Sequence, residues 1–217
     1  MFDVRRFGVR RFGRGTSNLE RSNVRTANRE PAYSLMQTRR VVALALLTQG
    51  LLIATAWFLA RTLHIPPRWG HPMRDVGIGL AGAIVLAAAN YALLTRARGN
   101  WLVDGVRAVY HELLVPLFSR FGPLSAITVG SVAGIGEEWL FRGVLQPLIG
   151  WIAASVLFGF AHVGGRGMLA FGAWACAMGL VLGGLALVTG GLTAPIVAHG
   201  VYDVLALTYL RGGAQRA

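Results

Sequence analysis

The sequence predicts an all-α, polytopic transmembrane helical bundle of about six spans, with one interfacial amphipathic helix. Three observations predict it. Of 217 residues, 54% are hydrophobic and only 14% charged, whereas a soluble domain carries about a quarter charged residues. The mean hydropathy is +0.54, and the apolar residues collect in long runs rather than in period-2 or period-3.6 stripes. Gly is also abundant, at 29 residues. Pairs such as Gly130/Gly134 and Gly179/Gly183 have the spacing that lets membrane helices approach closely.

Residues 1–40 form an Arg-rich arm. All 21 basic residues of the chain are Arg, and ten of them fall here, against the acids Asp3, Glu20 and Glu30. Ahead of a first span such an arm places the N-terminus in the cytosol, with the cell membrane as the expected location and no nucleic-acid partner. Disorder of the arm, an organellar leader and a start at Met36 are open alternatives. Residues 41–217 read as the membrane domain, with its intramembrane polar residues gathered at about 123–210.

A span needs about 20 apolar residues. The first, Val41–Ala60, is long for a cleavable signal and reads as retained. A loop with Pro66-Pro67, Arg61, Arg68 and Arg74 leads to the second, Val76–Leu94, which Arg96, Arg98, Gly99 and Asn100 close. In segment 101–118, Leu102, Val106, Val109, Tyr110, Leu113, Leu114 and Leu117 recur at three and four, opposite Asp104, Arg107 and His111. That pattern predicts an amphipathic helix lying in the interface. The remaining spans are predicted at Pro123–Leu148, Gly150–Val163 (short), Met168–Thr189 and Leu192–Leu210. Cys176, the only cysteine, excludes an intrachain disulfide and a cysteine-cluster metal site.

The chemistry concentrates in the later spans. Glu137 and Glu138 lie in an otherwise apolar run, five and four residues before Arg142. An ionisable group at mid-bilayer costs about 2.5–3.5 kcal/mol on insertion scales, so such a cluster marks a functional site by default. Glu138 and Arg142 are i and i+4 and can pair. Glu137, turned about 100° away, is left for other work, such as that of a general base. Phe158 and His162 share a face one turn apart, as do His199 and Asp203. Asp203 could hold His199 in one tautomer. Each has a blander reading: His162 and Asp203 as interhelical polar contacts, Glu138 with Arg142 as a structural ion pair, Phe158 as packing. Other motifs fail. His111-Glu112 lacks the second His of a zinc-protease helix because Val115 stands there, Gly134-Ile-Gly136 is no phosphate loop, and no G-x-S-x-G elbow occurs.

Glu137-Glu138-x-x-x-Arg142, Phe158-x-x-x-His162 and His199-x-x-x-Asp203, in this order, resemble the signature of the CAAX protease and bacteriocin-processing family. These are intramembrane proteases related to type II CAAX prenyl endopeptidases. The resemblance covers about residues 123–210. It implies an intramembrane endopeptidase in which Glu137 and His162 activate a water and His199, with Asp203, stabilises the oxyanion. Glu138, Arg142 and Phe158 would support them. Asp203 departs from the Asn usual in the prenyl-protease branch, which puts prenylated substrates in more doubt than proteolysis. No cofactor is expected, although a His2Glu zinc site on Glu137, His162 and His199 stays open. The implied partners are the lipid bilayer and a membrane-associated peptide or protein, with or without a prenyl group. The rivals are a non-enzymatic immunity or regulatory member of the family and a proton-coupled transporter. No two-fold repeat of broken helices supports the transporter.

Overall fold

The computed structural model describes the backbone of residues 16–97 and 99–213. Residues 1–15 of the Arg-rich arm, and Arg98, lie outside the described residues. Among those described there is no strand. The helices are α1 (Thr16–Thr62), α2 (Pro72–Thr95), α3 (Trp101–Val109), α4 (Val115–Phe118), α5 (Pro123–Glu138), α6 (Gln146–Ile149), α7 (Trp151–Ala161), α8 (Leu169–Thr189) and α9 (Thr193–Gly213). Two π-helical stretches, Tyr110–Leu114 and Trp139–Leu145, join α3 to α4 and α5 to α6. Residues Arg40–Ala217 form a unit of their own, which holds every contact described below.

The helix boundaries follow from local chemistry. Pro72 stands at the start of α2, where its missing N–H costs nothing. Asn100 caps α3 by accepting the Val103 N–H at 2.9 Å. Gly150, at φ 87°, makes the sharp reversal between α6 and α7. Among the described residues, Met36–Thr62, Pro72–Thr95 and Leu169–Thr189 are long and apolar enough to cross a bilayer. The pair Trp101–Phe118 and Pro123–Ile149, bent by 120°, can supply a fourth crossing. The predicted fourth span is realised as α7, whose 11 residues reach only about 16 Å at 1.5 Å per residue. The predicted sixth is α9, in which His199 and Asp203 interrupt the apolar run.

In α3 the predicted amphipathic pattern is present. Val103, Val106 and Val109 are buried, the first two against Leu93 and Ala170, while Asp104 and, just beyond α3, His111 are exposed. Arg107 turns inward, donating to the carbonyls of Leu93 (3.2 Å) and Ala97 (2.7 Å) at the end of α2. At the opposite end, buried Asp75 accepts the His71 N–H (2.6 Å) and Arg74 Nε (2.8 Å). Arg74 also reaches the Thr189 carbonyl at 3.2 Å, tying the first turn of α2 to the end of α8.

Two packing arrangements position the polar cluster. Both use the small residues that the spacing singled out. Arg142 and Gln146, one turn apart, donate to the carbonyls of Gly179 and Gly183, one turn apart on α8, at 3.0 Å each. On the other side, α5 crosses α9 in close contact. A Cβ on Gly134 would lie 2.7 Å from the Gly200 nitrogen and 2.9 Å from the Ile196 carbonyl oxygen, both backbone. Backbone cannot step aside as a side chain can. Gly134→Leu is therefore expected to destabilise the fold by about 3 kcal/mol, the upper end of the usual overpacking cost, read as a lowered unfolding midpoint in lipid or detergent.

Candidate active site

Four helices and the end of a fifth supply the cluster. Glu137 and Glu138 close α5, and Arg142 sits one turn on in the π-helical stretch. Single π-turns of this kind recur at functional sites because they re-aim side chains without breaking the helix. His162 is the residue that ends α7, and His199 and Asp203 share a face of α9. Gln49 comes from α1.

At the centre of the cluster is Glu138, which is fully buried. Its Oε1 accepts from Arg142 Nη1 at 3.0 Å and from His199 Nδ1 at 2.7 Å. Arg142, also buried, spends Nη2 on the Gly179 carbonyl, and its guanidinium lies 4.4 Å from the Phe158 ring centroid. An isolated buried charge would be costly; here each is paired and hydrogen-bonded, the condition under which such groups are tolerated. The predicted i,i+4 pairing is present, with a consequence for His199. A carboxylate can only accept, so His199 carries its proton on Nδ1 toward Glu138. That corrects the expectation that Asp203 orients His199: Asp203 Oδ2 stands 3.6 Å from Nε2, the other ring nitrogen. Asp203, one turn further along the same helix, comes up beside the distal nitrogen, while α5 delivers Glu138 to the proximal one.

Glu137 faces a different set of neighbours, as its rotation along the helix requires. Its Oε1 accepts from Gln49 Nε2 at 2.8 Å. Its Oε2 is buried without a hydrogen-bond partner. That oxygen lies 3.8 Å from His162 Nε2 and 4.0 Å from His199 Nε2. His162 Nδ1 lies 2.8 Å from the Phe158 carbonyl. A carbonyl accepts, so Nδ1 carries a proton, and Nε2 is the ring nitrogen turned toward Glu137. Phe158 is the packing hub. Its ring stacks obliquely on His162 at 4.6 Å and meets His199 edge-on at 5.8 Å. The most exposed members are His162 and Asp203, with 28% and 27% of their side chains accessible. Access to the cluster is therefore from their side.

All seven residues singled out from the sequence converge here. Gln49 was missed, although it carried a signal: a lone amide in the apolar run Val41–Ala60. Ser155, fully buried, donates to the Trp151 carbonyl at 2.9 Å within its own helix and takes no part.

The zinc option can be set against these distances. Zinc bonds of about 2.0–2.1 Å in a tetrahedron hold ligand atoms about 3.3 Å apart. The Glu137–His162 and Glu137–His199 separations, 3.8 and 4.0 Å, are wider. Among the described residues no group of three His, Cys, Asp or Glu is placed to hold a metal ion. The residues as arranged do not fit zinc, and no step is routed through it.

A Bacillus subtilis (strain 168) protein, the uncharacterised YpbD, is 27% identical over 139 residues, covering 64% of this chain and 70% of its own length. No solved structure matches. The long apolar helices indicate an integral membrane protein. Residues 119–205, which hold every member of the cluster except Gln49, match the Rce1-like family of type II CAAX prenyl endopeptidases, the family group that the motifs resemble.

Proposed function

We propose that the chain is an intramembrane endopeptidase that hydrolyses a peptide bond of a membrane-associated substrate with a water activated by Glu137 and His162. The observation that carries this is the Glu137 carboxylate. One oxygen is held by Gln49, and the other, buried and unpartnered, faces two imidazole nitrogens. A water bridging atoms 3.8 Å apart can donate one hydrogen to Glu137 Oε2 and the other to the His162 Nε2 lone pair. Both acceptors raise the nucleophilicity of its oxygen toward a scissile carbonyl. As the tetrahedral intermediate forms, its oxyanion needs a donor. His199, already the imidazolium between Glu138 on Nδ1 and Asp203 beside Nε2, donates its Nε2–H to the oxyanion and keeps that proton throughout. Such donors are worth about 2.7–4 kcal/mol each. The proton taken from water then passes to the leaving amine.

Orientation and substrate belong to the same proposal. Arg40, Arg96, Arg107, Arg120 and Arg211 flank the helix ends on the side of the α2–α5 connection, against Arg61, Arg68 and Arg74 at the other. The positive-inside rule makes the first side cytosolic, in the plasma membrane. The substrate is a peptide or a terminal segment of a membrane protein entering from that side, with or without a prenyl group. No resident metal is needed.

The test compares membrane-protein termini in cells expressing the wild type, Glu137→Ala or neither, at matched levels. Termini formed only with wild type establish proteolysis and identify substrates. Identical termini from wild type and Glu137→Ala would remove it, leaving a binding or immunity role. With a substrate in hand, treating the purified protein with a zinc chelator such as 1,10-phenanthroline is expected to change the cleavage rate less than twofold. A complete, zinc-reversible loss would establish metal dependence.

A further inference from the structure

Resting on the role proposed for Glu137, we infer that Gln49 of α1 is a positioning residue for the catalytic carboxylate. It lies outside the stretch that matches the family, 119–205. Three observations converge. First, Gln49 Nε2 donates to Glu137 Oε1 at 2.8 Å, and the residue is 9% exposed. Occupying Oε1 leaves Oε2 as the oxygen turned to His162 and His199, so the amide selects which oxygen meets the water. Second, the contact is kept at a cost. The Gln49 Oε1 atom is buried with no hydrogen-bond partner, and half-satisfied buried amides are destabilising. A Leu at this point of an apolar helix would avoid that cost, so the amide is retained for its bond to Glu137 and not for packing. Third, the neighbouring residue makes room for it. A Cβ on Gly136 would lie 2.6 Å from Gln49 Oε1 and 3.2 Å from the Gln49 carbonyl oxygen. Gly136, adjacent to Glu137, thus lets the α1 backbone come within reach of the carboxylate.

The experiment uses the full chain in lipid vesicles and two readouts. Infrared difference spectra between wild type and Glu137→Gln isolate the carboxyl band of Glu137. Gln49→Met keeps the side-chain volume and apolar packing but removes the donor. It is expected to shift that band with an unfolding midpoint at least as high as wild type. Gly136→Ala, which alters neither partner, is expected to shift the same band. Formation of the termini that wild type alone produces is expected to slow on the order of tenfold to a hundredfold in Gln49→Met, the range for a lost hydrogen bond to a charged group. An unmoved band in Gln49→Met, or termini formed at the wild-type rate, overturns the assignment. If wild type forms no termini, proteolysis itself is excluded, and the band alone decides whether Gln49 holds the Glu137 carboxylate.

Discussion

Glu137→Gln is expected to slow peptide hydrolysis by about 10²–10⁴-fold, the usual contribution of a positioned general base, while the helices stay packed. The substitution is nearly isosteric and keeps an oxygen that Gln49 Nε2 can reach. It replaces the carboxylate by an amide that cannot take the water's proton. Because Arg142 stays paired with Glu138, and His199 keeps both Glu138 and Asp203, the loss of the Glu137 charge leaves no buried cation unpaired, and the unfolding midpoint should move by no more than a degree or two. The measurement is the initial rate of appearance of a wild-type-specific terminus in vesicles, alongside a thermal melt. Activity within threefold of wild type would exclude Glu137 as the base.

Arg142→Ala is expected to do the reverse, striking the fold first. Its guanidinium holds Glu138 at 3.0 Å, the Gly179 carbonyl at 3.0 Å and the Phe158 ring face at 4.4 Å, all buried. Removing it leaves the Glu138 carboxylate with only His199, an opened cavity and a freed carbonyl. Breaking a buried pair by deleting one partner costs about 3–5 kcal/mol, a large share of the stability of a domain. The expected result is a strongly lowered unfolding midpoint or failure to accumulate. Adding Glu138→Gln to Arg142→Ala removes the orphaned charge and should recover part of the loss. A single variant as stable as wild type would mean that the pair carries little.

The site was largely legible in the sequence because each of its local pairs obeys helix periodicity. Glu138 with Arg142, Phe158 with His162 and His199 with Asp203 are one turn apart, and polar groups stand out in apolar runs. What periodicity cannot show is how helices cross. The bond from His199 to Glu138 depends on the close approach of α5 and α9 at Gly134 and Gly200, and it changed which carboxylate orients the imidazole. Gln49 is 88 residues from its partner, with no motif around it. The π-helical stretch after Glu138 was also hidden, since composition does not distinguish it from the α-helix it interrupts. The fold class and the order of helices were readable; the short reach of α7 was only hinted at by the length of its run.

That short reach has a further consequence. A helix of about 16 Å cannot cross a hydrocarbon layer about 30 Å thick. It lies instead along α8, with Trp151 at its start donating to the Leu180 carbonyl and Gly159 near its end packed on Gly172. The break is tolerated because His162 and Val163 themselves satisfy the carbonyls of Phe158, Gly159 and Phe160. The length of α7 therefore works as a spacer, setting the level along α8 at which the His162 ring stops and turns to Glu137.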